Sequence, residues 1–153
     1  MTRIGLISDT HGLLRPQVLE FLRGSDRILH AGDVCDEAVL RELKRIAPVN
    51  AVRGNNDSGA WADRLAEGER VAVEQVAIFM VHDLADLPRH PGARGARVVV
   101  SGHSHKPQVQ EREGVLFVNP GSAGPRRFKL PIAAGELVVD GDSVAARIVE
   151  FSP

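Results

Sequence analysis

The chain has 153 residues, of which 43% are hydrophobic and 25% charged, so it is long enough to bury a core and is neither disordered nor fibrous. Lysines and arginines number 19 against 20 acidic residues, for a formal net charge of -1, so no general basic field attracts nucleic acid. Because no linker, repeat or low-complexity segment divides the chain, we expect a single domain over residues 1–153.

The sequence predicts a cytoplasmic location. The single cysteine, Cys35, excludes an internal disulfide and a site made of thiolates alone, so a reducing compartment is expected. Ser8 and Asp9 follow the N-terminus too soon for a signal-peptide core, and the apolar run Val76–Val81 is too short to span a bilayer. We therefore expect neither export nor a membrane partner.

Short segments rich in valine, isoleucine and leucine predict buried strands, because most are continuous rather than alternating. They cover residues 4–7, 28–29, 49–52, 76–81, 98–100 and 115–118. Between the first two, a helix is expected to begin at Pro16 and stop at Gly24. Between the second and third, a helix is expected from its cap Asp36 to Pro48. This alternation predicts a parallel α/β sheet.

The later parts of the chain predict other structures. Apolar segments 134–139 and 144–151 flank the polar turn at residues 140–143, which suits a β-hairpin. Residues 83–97 contain two prolines and two glycines without clean periodicity, so we interpret them as a loop with room for one helical turn. The expected architecture is therefore mixed α/β.

Five of the predicted strands run directly into side chains that can bind a metal. In chain order these are Asp9, His11, Asp33, Asn55, His82, His103 and His105. Ligands of open α/β sheets bind beyond the carboxyl ends of the strands, so we expect the five loops to converge. Imidazole, carboxylate and amide groups suit manganese, iron, zinc, cobalt or nickel. Seven of them suit two ions sharing a bridging carboxylate, an arrangement typical of phosphoester hydrolysis.

These residues stand in ordered motifs: Asp9-Thr10-His11, Gly32-Asp33-Val34-Cys35-Asp36, Gly54-Asn55-Asn56-Asp57, His82, Gly102-His103-Ser104-His105 and Asn119-Pro120-Gly121-Ser122. In this order the motifs resemble those of the calcineurin-like metallophosphoesterases, in particular their small prokaryotic phosphodiesterase branch. The resemblance implies a four-layer α/β/β/α sandwich of two mixed sheets flanked by helices. It also implies a dinuclear site at the strand ends, for which manganese is the first choice of ion.

The resemblance further implies a role for each ligand. One metal would take Asp9, His11 and His105, and the other would take Asn55, His82 and His103. Asp33 would bridge them, and a metal-bridged hydroxide would attack phosphorus in line. On this pattern Asp33, Asn55 and His82 are the candidate catalytic residues of a phosphodiesterase or phosphatase.

The expected partner is a small phosphoester substrate, and residues near the motifs are candidates to hold it. Nucleic acid is expected only as a substrate, and the formation of an oligomer is left open. We expect Arg53, Asn56 and Arg126 to contact the substrate, since charge-assisted bonds to phosphate are strong. Lys106 and Arg127 are equally open to this role, and surface solvation is an equal alternative for each of the cations.

Four other residues are interpreted as structural. His30 is expected to be a hydrogen-bonded histidine of the core or behind the ligands, and Asp36 a helix cap. Cys35 is expected to be a packed thiol, and His90 a solvated loop residue.

Two positions depart from the family pattern. Many members carry a histidine after the asparagine ligand, where it can protonate the leaving group, but Asn56 cannot titrate, so good leaving groups are the expected substrates. The usual glycine after His82 is Asp83, which is open to three roles: orienting a ligand, donating a proton or facing solvent. A binding scaffold that has lost catalysis is the alternative to an enzyme, and retention of all seven ligands favours the enzyme.

Overall fold

The computed structural model describes residues 1–127 and 129–153, and these form two five-stranded mixed sheets. The strands are β1 (Thr2–Ile7), β2 (Arg27–His30), β3 (Val49–Ala51), β4 (Gly68–Val73), β5 (Val76–Val81), β6 (Val98–Val100), β7 (Gln108–Arg112), β8 (Val115–Asn119), β9 (Ile132–Asp140) and β10 (Ser143–Phe151). The first sheet has the order β10-β9-β1-β2-β3 and the second the order β4-β5-β6-β8-β7. The six predicted strands and the C-terminal hairpin are all present.

The first sheet is built on β1. This strand pairs in parallel with β2, and β2 pairs in parallel with β3. The two crossovers contain α1 (Pro16–Leu22) and α2 (Glu37–Lys44). Helix α1 begins at Pro16 as expected, and the Asp36 side chain caps α2 by accepting a hydrogen bond from the Ala38 amide. The parallel unit predicted from the alternation is therefore present, although α2 ends before Pro48.

The second sheet contains two strands that were not predicted. The parallel strands β5, β6 and β8 form its centre, and β4 and β7 pair antiparallel at its edges. Strand β4 includes Glu69 and Arg70, and every residue of β7 is exposed, so neither has a continuous apolar pattern. Pairing with the neighbouring strand determines both. The short helix α3 (Ala60–Asp63) was also missed.

The two sheets pack face to face around an apolar core. Leu6 of β1, Met80 of β5 and Val100 of β6 are buried between them. Helices α1 and α2 cover the outer face of the first sheet. Two 3₁₀ segments, Leu84–Arg89 and Pro91–Ala93, cover the outer face of the second. The four-layer mixed α/β fold is confirmed, with one outer layer made of 3₁₀ turns.

The 3₁₀ segments lie where a loop with one helical turn was expected. The first begins after Asp83, whose side chain accepts a hydrogen bond from the Ala85 amide.

No helix in the described ranges has the length and apolar character needed to cross a membrane.

Candidate metal centre

The loops that follow β1, β2, β3, β5 and β6 meet at one end of the two sheets. The Asp9 amide donates to the Gly32 carbonyl at 3.0 Å, and the Gly102 amide donates to the His82 carbonyl at 2.9 Å. All seven predicted ligands lie in these loops or at their borders. The structure therefore brings together side chains that are distant in sequence.

Three of the seven form a buried group: Asp9, His11 and His105. One potential ligand atom from each lies within 4.8 Å of the other two. Asp9 Oδ1 is 3.4 Å from His105 Nε2, and the rings of His11 and His105 are 5.5 Å apart. Asp9 is fully buried and His105 nearly so. This group matches the set that the resemblance assigns to one metal.

Three others form an open group: Asn55, His82 and His103. Asn55 Oδ1 lies 3.0 Å from His82 Nε2 and 3.2 Å from His103 Nδ1. His82 is buried, whereas Asn55 and His103 are exposed. These three are the set that the resemblance assigns to the other metal.

Asp33 lies between the two groups. Its Oδ2 is 3.3 Å from His82 Nε2 of the open group and 3.7 Å from His11 Nε2 of the buried group. Asn56 donates to both carboxylate oxygens: its backbone amide donates to Oδ1 and its side-chain Nδ2 donates to Oδ2, each at 2.9 Å. Burial acts to raise the pKa of Asp33, but hydrogen bonds from His82 and Asn56 outweigh it and hold that pKa below its usual range.

A backbone contact fixes the orientation of His82. Its Nδ1 is 2.7 Å from the Ala31 carbonyl, which can only accept, so Nδ1 donates and Nε2 points toward Asn55 and Asp33. Burial acts to lower the pKa of His82, but its bond to Asp33 and the charge of Asp9 outweigh burial and raise it. The carboxylates therefore favour positive charge at this point.

The buried group contains polar atoms without hydrogen-bond partners, and these atoms indicate whether its residues fit a cation. Asp9 Oδ2 accepts hydrogen bonds from Ser8 Oγ at 2.8 Å and from the His103 amide at 3.1 Å. Asp9 Oδ1, His11 Nε2 and His105 Nδ1 are buried without a hydrogen-bond partner among the described residues. Burial raises the pKa of Asp9. Unpaired buried polar groups are costly, and a divalent cation accepts lone pairs from oxygen and nitrogen alike. The residues fit such an ion.

Most of the candidate ligands have a left-handed backbone. The φ angles of Asp9, His11, Asp33, His103 and His105 lie between 46° and 71°. Non-glycine residues adopt this region at a cost, and such residues cluster at functional sites. The side chains of His103 and His105, although only two residues apart, join different groups.

Two glycines allow the loops to pack closely. Gly32 has φ 102°, and a Cβ there would lie 2.6 Å from His82 Nδ1. A Cβ at Gly102 would collide with Ser8 Oγ. At these two positions a side chain on one loop would therefore collide with the next loop.

Asp57 has a role at the centre that was not predicted from the sequence. This buried carboxylate accepts hydrogen bonds from the amides of Asp33 at 3.0 Å, Gly54 at 2.8 Å and Cys35 at 2.7 Å. It therefore ties the loop after β2 to the loop after β3. The only available signal was its position at the end of the Gly54-Asn55-Asn56-Asp57 motif.

The residues interpreted as structural lie close to the centre. His30 is fully buried; its Nδ1 accepts from the Gly32 amide and its Nε2 is 3.0 Å from Thr10 Oγ1. Burial lowers the pKa of His30 to about 3, so it is a neutral hydrogen-bonded core histidine. Cys35 is half-buried, with Sγ 3.5 Å from His11 Nδ1, and burial raises the pKa of its thiol to about 11. His90 is half-buried beside Phe79 rather than solvated.

The expected substrate contacts lie in different places. Arg53 lines a hollow of about 220 Å³ beside the open group. Asn56 is engaged with Asp33. The structure does not bring Arg126 to the ligands: its Nε donates to the Leu130 carbonyl, and it lines a separate hollow with Phe151. Arg127 is nearer the centre. The pKa of His105 is lowered mainly by burial, and the charge of Arg127 lowers it further.

Asp83 lies between the open group and the first 3₁₀ segment. Its Oδ2 is 3.7 Å from His103 Nε2, while its Oδ1 caps the segment. Among the three roles open to it, this position favours orienting a ligand. Asn55 approaches the other ring nitrogen of His103, Nδ1, so Asp83 and Asn55 contact different nitrogens of this ring.

Known proteins are similar to this chain over nearly its whole length. The model of the calcineurin-like phosphoesterase superfamily domain matches residues 2–142. A probable metallophosphoesterase of Methanothermobacter thermautotrophicus is 35% identical over 95% of this chain and 91% of its own. The phosphodiesterase YfcE of Escherichia coli is 29% identical over 95% and 92%. Among solved structures, wild-type Vps29 of Entamoeba histolytica complexed with zinc superimposes with a TM-score of 0.74 at 23% identity, covering 98% of this chain and 99% of that one.

Proposed function

The chain belongs to the calcineurin-like phosphoesterase superfamily, and from this premise we propose that it is a metal-dependent phosphodiesterase with a dinuclear centre. The observation that carries the proposal is the position of Asp33, with one carboxylate oxygen facing both the buried and the open group. Names of relatives agree with the reaction class, since one is a probable metallophosphoesterase and another a phosphodiesterase.

The two ligand groups fit two divalent ions, with manganese first and iron, zinc, nickel or cobalt as alternatives. The buried group would hold one ion and the open group the other, with Asp33 shared. Bound there, the ions would supply Lewis acidity, which lowers the pKa of a coordinated water and offsets charge on the phosphoryl oxygens. We also propose that residues 1–153 form one domain that acts on a small phosphoester, and that the single cysteine reflects a cytoplasmic location.

The residues around the ligands keep them in position before substrate arrives. Asn56 holds both oxygens of Asp33, and the Ala31 carbonyl fixes the tautomer of His82. Asp57 anchors the backbone of Asp33. Such preorganisation lowers the reorganisation needed during the reaction. Because Asn55 and His103 are the exposed ligands, we infer that the phosphoester approaches the open group.

Leaving-group protonation is the weak part of this centre. The position after Asn55 holds Asn56, which does not titrate and whose amide and Nδ2 both donate to Asp33. We therefore propose that the enzyme cleaves esters of acidic leaving groups best. In a series of aryl phosphodiesters the rate should rise steeply as the leaving-group pKa falls. A flat dependence would show that a proton donor operates.

The direct test is hydrolysis of bis-p-nitrophenyl phosphate. Protein stripped by a chelator should be inactive and should regain turnover on reloading with manganese, and with other divalent ions to differing extents. A protein that binds two ions per chain and still turns over no phosphoester would overturn the enzyme proposal in favour of a binding scaffold on the same fold.

A further inference from the structure

The hollow beside the open group, which we name the side hollow, is rich in paired charges. Its charged lining consists of Arg53, Glu67, Asp83, Asp86 and Arg89. Arg53 Nη2 lies 2.8 Å from Glu67 Oε1, and Arg89 Nη2 lies 3.2 Å from Asp86 Oδ1. Both arginines are therefore paired, and the acids in this lining outnumber them.

Of the two arginines in the side hollow, Arg53 is the one closer in sequence to a candidate ligand. It lies two residues before Asn55, and its side chain is 30% exposed. Its amide donates to the Ala66 carbonyl at 2.8 Å, which brings the following residue, Glu67, against its guanidinium. A second carboxylate, Asp63, lies 3.9 Å from Arg53 Nη1. The backbone pairing thus holds the cation toward its acidic partner.

We propose that Glu67 is a specificity-determining residue, which holds Arg53 away from the substrate and so favours phosphodiesters over phosphomonoesters. The inference rests on the proposed function. At neutral pH a monoester carries close to two negative charges, because its second pKa is about 6, whereas a diester carries one. The extra charge needs a further cation. In the side hollow it meets neutralised arginines and an excess of carboxylates.

The experiment compares wild type with Glu67→Gln, both loaded with manganese, on p-nitrophenyl phosphate and bis-p-nitrophenyl phosphate at pH 8. Removing the nearer of its two acidic partners leaves Arg53 only Asp63, at 3.9 Å, and should raise the monoester-to-diester ratio of kcat/KM by about fivefold to tenfold, since a bond to a charged group is strong but this one is partly exposed. In a Glu67→Gln, Arg53→Gln double variant the ratio should return to that of Arg53→Gln alone.

Glu69→Gln is the matched control. It removes the same charge two residues further along the chain, inside β4, but Glu69 accepts a hydrogen bond from Asn50 and lines a different hollow. The monoester-to-diester ratio should be unchanged in this variant. An equal rise in Glu67→Gln and Glu69→Gln would indicate a general charge effect and overturn the inference.

Binding of inorganic phosphate provides a readout independent of turnover. Titration calorimetry of the manganese-loaded proteins should show phosphate binding severalfold tighter to Glu67→Gln than to wild type or Glu69→Gln. If wild type cleaves neither ester, the proposed function fails while the titration still reports on Glu67. If wild type is active but neither the ratio nor the phosphate affinity changes in Glu67→Gln, only the inference fails.

Discussion

The buried and open groups each combine two histidines with one side-chain oxygen ligand, a carboxylate in the first and an amide in the second, yet they differ in exposure. In the buried group the Asp9 and His105 side chains are 0% and 7% exposed. In the open group the His103 side chain is 46% exposed. His103 and His105 are only two residues apart and both have a left-handed backbone, yet their side chains join different groups. We infer that the buried group retains its ion while the open group meets the substrate.

The largest expected effect comes from Asp33, the residue that the two groups share. Asp33→Asn should remove one of two bound ions and lower kcat/KM for bis-p-nitrophenyl phosphate about 1,000-fold, because a neutral amide cannot offset the charge of two cations. Metal content by mass spectrometry and circular dichroism of the fold would check this. Two ions held as tightly as in wild type would contradict the shared role.

Two histidine variants would separate the groups. His105→Ala should weaken the tighter of two steps in a manganese titration, and His103→Ala the weaker step, each by about 100-fold, since each loses one nitrogen ligand from its own ion. Calorimetric titration of chelator-treated protein measures both steps. If the two substitutions weaken the same step, the division into groups is wrong.

A smaller effect is expected from Asp83, which faces the outer nitrogen of His103. Asp83→Asn should weaken only the weaker metal step, by about tenfold, because a carboxylate behind a ligating imidazole orients it and raises its basicity. Asp86→Asn is the control: it removes a carboxylate from the same hollow, one paired with Arg89 rather than with a ligand. An equal loss of metal affinity in the two variants would mean that Asp83 acts only through its negative charge and does not orient His103.

The smallest effect lies outside both groups, at Glu136. Its carboxylate accepts hydrogen bonds from Arg3 Nε at 2.6 Å and Arg147 Nε at 2.9 Å. Burial acts to raise the pKa of Glu136, but the two arginines outweigh it and lower that pKa. Glu136→Gln should therefore lower the free energy of unfolding by about 1–2 kcal/mol at pH 7 and leave both metal steps unchanged.

The pH dependence of the Glu136 contribution has a definite sign. Because the folded pKa is depressed, the stabilisation is present above the ordinary glutamate value of 4.5 and is lost as pH falls through the folded value. Urea unfolding of chelator-treated wild type and Glu136→Gln at pH 7, 5 and 4 should show a difference that narrows toward acid. A constant difference would mean that the charge of Glu136 does not contribute.

The parts of the fold that the sequence predicts are those in which burial and pattern coincide. Strands buried on both faces, such as β5 and β6, are continuous apolar runs and were found. Strand β7 is exposed along its whole length, so only its pairing with β8 determines it, and pairing is not visible in one sequence. The 3₁₀ layer was missed as regular structure because prolines and glycines break any periodicity.

The candidate site was predictable to the level of which loops converge, because parallel strands end at a common edge. The contacts among its side chains were not. Asn56 was expected to contact substrate, but its engagement with Asp33 depends on how two loops pack. The bonds from Asp57 to three amides likewise depend on backbone turns that no spacing rule describes.

The left-handed backbone of five candidate ligands has an evolutionary consequence. Aspartate and histidine are among the few side chains that tolerate this region, and glycine alone adopts it freely. At His103, which is exposed, a change to glycine would remove a ligand and relieve the backbone in one step. A lineage can therefore give up an ion while keeping or strengthening its fold. Descendants that abandoned hydrolysis along this path should carry glycines where their ancestors coordinated metal.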